Sequence, residues 1–122
     1  MSDSLNQPTA EEMEQEIAEE LLRIHLESYG GGAARVRAHV LDDSVIVFLD
    51  DLEFLPNEQF MIERGHDDSV LQIRHQYQQA IQAPYRAAVE RATGRRVVSF
   101  VSATKLDPNY SVEVFRLDSP VG

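Results

Sequence analysis

VIVFLDD at Val45 to Asp51 and VEVFRLD at Val112 to Asp118 are two versions of one strand. Each closes a pass of the same plan: a charged helical stretch, a glycine stop and a hairpin. One such unit has too little apolar surface to be stable alone, whereas two can share a sheet. The expected fold is therefore α+β, with two helix-strand-strand units sharing a four-stranded, mainly antiparallel sheet and the helices on one face. Hairpins impose local reversal, and amphipathic helices need the sheet's apolar side. Ser44 to Leu49 is apolar throughout and reads as a strand that is central or covered on both faces. Before it, Arg35 to Leu41 alternates, with Val36, Ala38 and Val40 on one face and Arg35, Arg37 and His39 on the other.

The helices are bounded by their caps. Thr9 and Glu12 form the capping-box pattern after Pro8, and Gly30, Gly31 and Gly32 stop the first helix in a flexible loop. Met13, Ile17, Leu21 and Ile24 make one apolar stripe; Leu22, Leu26 and Tyr29 make a second, which calls for another helix or another subunit. Pro56 opens a short helix that runs to Arg64 and stops at Gly65. A long helix starting at Asp68 or Ser69 places Val70, Ile73, Tyr77, Ile81, Pro84, Ala88 and Arg91 on one face, and Pro84 either kinks it, the favoured reading, or breaks it in two with Pro84 opening the second piece. Gly94 ends it, and Asp107-Pro108-Asn109 turns the last hairpin. The reading gives a flexible N-terminus over residues 1–8, one domain over 9–118 and a frayed tail over 119–122.

With 122 residues, 43% of them hydrophobic, the chain suits one domain with a modest core. It has no cysteine, which excludes disulfides, thiol catalysis and thiolate zinc sites and fits a reducing compartment. No apolar run is long enough for membrane insertion, so the cytoplasm is the expected location. A net charge of −10 argues against nucleic acid, whose phosphates require a basic face. The charge is also divided: residues 1–68 hold 17 acids and 4 bases, and residues 69–122 hold 4 acids and 7 bases. Such halves attract each other within one chain or between two copies.

No catalytic, cofactor-binding or metal constellation is expected. The triple glycine follows a helix and precedes a strand, the reverse of a phosphate loop. His66, Asp67, Asp68 and His75 lie on different faces across a helix start. The candidate anion or partner contact is the cluster Arg86, Arg91, Arg95 and Arg96, because guanidinium groups engage carboxylates and phosphates bidentately. The candidate self-association surface is Leu22, Leu26 and Tyr29, as part of a homodimer.

From Ile17 to Asp118 the chain resembles the bacterial MpsC-like family, also called YbcI-like. The resemblance rests on Tyr29-Gly30 and the glycines that follow, the valine-rich hairpin, Glu58, Arg74, Thr93-Gly94 and Val114-Phe115. Leu55 departs from it, standing where the family usually has a threonine-like cap three residues before the glutamate. The resemblance implies a cytoplasmic, non-enzymatic accessory or regulatory component of a cation-translocating, membrane-potential-generating system. Such a component acts through protein contacts and meets the membrane only by way of a membrane-complex partner. The alternative is a stand-alone signalling or ligand-sensing domain, with a ligand held between sheet and helices.

Overall fold

The computed structural model describes residues 8–121. Its elements are α1 (Ala10–Tyr29), β1 (Ala33–Leu41), β2 (Ser44–Leu52), α2 (Pro56–Glu63), α3 (Asp67–Ala80), α4 (Gln82–Thr93), β3 (Val97–Leu106) and β4 (Asn109–Leu117). The sheet order is β1-β2-β4-β3 and every pairing is antiparallel. Two hairpins thus meet through their second strands, and α1, α3 and α4 cover one face of the sheet. The expected N-terminal residues 1–7 lie outside the described residues.

Local chemistry places each helix. Glu12 N–H donates to Thr9 Oγ1 at 3.1 Å and Thr9 N–H to Glu12 Oε1 at 2.8 Å, so the capping box starts α1. Ile17 and Leu21 of the first stripe are fully buried against the sheet. In α2, Leu55 offers no capping oxygen; Glu58 Oε1 accepts the Leu55 N–H at 2.8 Å and does that half of the work alone.

The long helix is broken, not kinked. Pro84 lacks an N–H, and its ring conflicts with the carbonyl four residues earlier, that of Ala80, where α3 ends. The chain restarts after Ile81 as α4. The inward positions are Val70, Arg74, Gln78, Ile81, Tyr85, Ala88 and Ala92, whereas Ile73 is exposed and Pro84 faces solvent. Two polar residues in this series hid it from a hydrophobicity reading.

The tail is docked rather than frayed up to Val121. Its N–H donates to the Asp42 carbonyl at 2.9 Å, and its side chain packs against the core. The glycine loop is also pinned. Glu53 N–H donates to the Gly32 carbonyl at 2.8 Å, Gly32 N–H donates to Glu53 Oε1 at 2.9 Å, and Gly31 and Gly32 are buried. A Cβ at Gly31 would stand 2.9 Å from the Glu53 carbonyl oxygen, so close backbone approach requires glycine here.

The two look-alike strands do not present the same face. In β2, Val45, Val47 and Leu49 point to the helices; in β4, Ser111, Glu113, Phe115 and Leu117 do. Directly paired residues share a face, and Val47 pairs with Glu113 while Ile46 pairs with Val114. The opposite parity would bury Val112 and Val114 but also Arg116. A carboxyl can enter a core by taking up a proton, whereas a guanidinium stays charged. Phe115 and Leu117 gain burial in the parity adopted, leaving Val112 and Val114 on the open side.

Candidate functional site

The strongest polar arrangement joins segments far apart in the chain. Arg74 of α3 donates through Nε to Glu58 Oε2 at 2.7 Å and through Nη2 to Glu58 Oε1 at 2.9 Å. The same Nη2 reaches the Glu53 carbonyl at 3.1 Å. Tyr29, the last residue of α1, donates its hydroxyl to Glu58 Oε2 at 2.5 Å, and its ring lies 4.7 Å from the guanidinium carbon. Phe54 flanks the guanidinium at 5.1 Å. Tyr77 meets the Tyr29 ring edge-on and donates its hydroxyl to the Ser28 carbonyl. Next to this knot, His25 is buried, with Nδ1 2.6 Å from the Gly31 carbonyl.

Arg74 and Glu58 are both almost fully buried, so their charges require each other. Burial pushes the Glu58 carboxyl up, but Arg74, Tyr29 and the Leu55 N–H outweigh it and hold the group below its ordinary range. Burial, and then the bond to Glu58, pushes the Tyr29 phenol up. Burial pushes the His25 imidazole down despite the Gly31 carbonyl, leaving a neutral ring whose Nδ1–H donates to that carbonyl. Both Glu58 oxygens are doubly engaged. The arrangement ties the end of α1, the glycine loop, the exit of β2, α2 and α3 into one rigid unit.

A second polar group lies between the layers. Glu113 is fully buried, accepts from the Ser111 hydroxyl at 3.1 Å through Oε1, and has no partner at Oε2. Ser102, paired opposite it on β3, is buried with an unpartnered hydroxyl, and Gln78 Oε1 and the Tyr85 hydroxyl are also unpartnered. Burial pushes the Glu113 carboxyl up to about 8, and the hydrogen bond from the Ser111 hydroxyl offsets only part of that. Burial, and then the Glu113 charge, pushes the Tyr85 phenol up. At neutral pH Glu113 is thus mostly a protonated acid and a hydrogen-bond donor. Sequence reading missed it, since a glutamate between Val112 and Val114 alternates like a solvent-facing residue.

The four arginines proposed for recognition do not share a partner. Arg91 meets Glu20 of α1 at 3.4 Å beside a groove lined by Glu12, Glu16 and Glu19. Arg95 donates through Nε to the Pro120 carbonyl at 3.0 Å. Arg96 is exposed, and its backbone N–H is 3.3 Å from Asp118 Oδ1. Arg86 is half-buried, with its Nε enclosed and unpartnered. Of the proposed association surface, Leu26 is 45% exposed, Leu22 is half-buried, and Tyr29 has its hydroxyl on Glu58.

Four of the residues that carried the family resemblance, Tyr29, Gly30, Glu58 and Arg74, thus meet at or beside one knot. Residues 9–119 match the family described as Na+-translocating membrane potential-generating system (MpsC). The chain belongs to the MpsC family. No curated protein and no solved structure matches it. Among the described residues, no helix of this MpsC family member is long and apolar enough to cross a membrane.

Proposed function

We infer that this MpsC family member is a non-enzymatic, cytoplasmic accessory component of a Na+-translocating, membrane-potential-generating system. It acts through protein contacts, self-associates as a homodimer and reaches the membrane through a membrane-bound partner. The observation that carries the reading is the family match over nearly the whole folded chain. The knot at Glu58 and Arg74 supports it, because a saturated, buried ion pair rigidifies a surface for docking. On this reading the passage of Na+ belongs to another subunit.

The test is deletion of the coding sequence in its host, with membrane potential followed by a voltage-sensitive dye with and without Na+. Loss of the Na+-dependent potential, restored by the wild-type chain, is expected. An unchanged Na+ dependence refutes the assignment.

A second reading, a ligand-sensing domain, draws on the unpartnered polar atoms of Gln78, Tyr85, Ser102 and Glu113 between sheet and helices. Small polar metabolites should then raise the melting temperature of wild-type protein and leave that of Glu113→Gln unchanged. No shift across a broad metabolite set removes it.

A further inference from the structure

Among the described residues, the helices cover one face of the sheet and leave the other open. On that open side Ile46 and Phe48 of β2, Val112 and Val114 of β4, and Val101 and Ala103 of β3 are neighbours in register. Val101 is 60% exposed, more than any other large apolar side chain among the described residues. This apolar centre is bounded by ion pairs: Arg37 Nε to Asp50 Oδ2 at 2.8 Å towards one end, and Arg116 Nη2 to Asp43 Oδ2 at 3.0 Å at the other. Arg37 also lies over the Phe48 ring at 4.8 Å. Arg35 and Lys105 lie on this same side, so the face is apolar in the middle with charges of both signs at its margins.

Charge and area both select the occupant. The chain carries −10, and α1 alone holds seven acids against one arginine, so contact between the α1 helices of two copies is repulsive. The open sheet face lacks that excess, and margins carrying both signs are complementary to a two-fold copy of themselves. Four strands about 4.8 Å apart, nine or ten residues long at about 3.3 Å per residue, present roughly 550–600 Å². Two such faces bury roughly 1,100–1,200 Å², where stable interfaces begin.

We propose that two copies of this chain stack through their open sheet faces, the apolar centre of one against that of the other, in a helix-sheet-sheet-helix dimer. The proposal rests on the self-association inferred above and names its surface. Sheets stacked in this way lie about 10 Å apart, and their side chains interdigitate as in a sandwich core.

Light scattering after gel filtration, with far-UV circular dichroism as the folding control, tests it on the full chain. Wild type is expected at twice 13.8 kDa at micromolar concentration. Val101→Glu and Val114→Glu are expected at 13.8 kDa, with spectra unchanged and dimerisation at least about a hundredfold weaker, since each dimer would bury two carboxylates. Val101 is on the edge strand and largely exposed, so its variant decides if Val114→Glu unfolds. A wild type at 13.8 kDa throughout overturns both self-association and this surface, leaving the face to a different protein. A dimer that survives both glutamates but is lost in Leu26→Glu overturns this surface alone and places the contact on α1.

Discussion

Replacing Glu113 by glutamine should make the protein more stable, and increasingly so as the pH rises. The carboxyl is fully buried, with one oxygen unpartnered, and burial lifts it to about 8 from an ordinary 4.5. The folded state therefore holds a proton between those values that the unfolded state gives up. Stability linked to this proton is complete below about pH 4.5 and is lost as the pH rises through about 8. Each pH unit inside the window costs about 1.4 kcal/mol. Between pH 5 and pH 7 the wild type should lose about 2–3 kcal/mol relative to Glu113→Gln, and another 1–2 by pH 9. At pH 5 the two should be nearly equal, because a protonated carboxyl and an amide have similar shape and both donate. Against a stability of about 5–15 kcal/mol this is a large fraction, equivalent to about 10 °C in melting temperature at pH 7. Urea titrations of both proteins at pH 5, 7 and 9 measure the difference while other titrating groups cancel. A wild-type-to-variant difference that stays constant across that range, or that favours wild type more at high pH, refutes the reasoning.

Further outcomes follow from the knot and its loop. Arg74→Met strands the buried Glu58 carboxylate and should cost about 3–5 kcal/mol, much of it recovered in Arg74→Met with Glu58→Gln; urea denaturation of single and double variants gives the coupling. Gly31→Ala should cost about 1–3 kcal/mol because its Cβ meets the Glu53 carbonyl oxygen, whereas Gly65→Ala, with φ of +79° and open surroundings, should cost about 1; thermal melts in the reverse order would contradict the packing argument. His25 is held neutral, so its contribution is present above pH 6.5 and is lost as the pH falls through its lower folded value; an NMR titration should find its imidazole titrating below that of an unfolded control.

How much of this was legible in the sequence depends on whether one side chain or a pair of distant ones carried the information. Capping at Thr9 and Glu12, the stop at Gly94 and the antiparallel hairpins are local, and the sequence reading found them. Pro84 announced a disruption, but whether α3 kinks or ends turns on the Ala80 carbonyl and on which face each half must bury. Arg74 and Glu58 are 16 residues apart, and Tyr29 is 29 from Glu58, so no spacing rule links them. Once they pair, Arg74 becomes an inward residue and the inward series runs Val70, Arg74, Gln78, in place of Val70, Ile73, Tyr77. Parity in β4 has the same character. VIVFLDD and VEVFRLD look alike, yet strand alternation has period two, and a shift of one residue exchanges every side chain between core and open face. Whether Glu113 or Arg116 enters the core is decided by which can shed its charge there, a comparison that neither segment's apolar pattern expresses. One exchange of parity thus has two consequences: a protonatable acid between the layers, and Val112 and Val114 on the uncovered face, where a second copy would bury them.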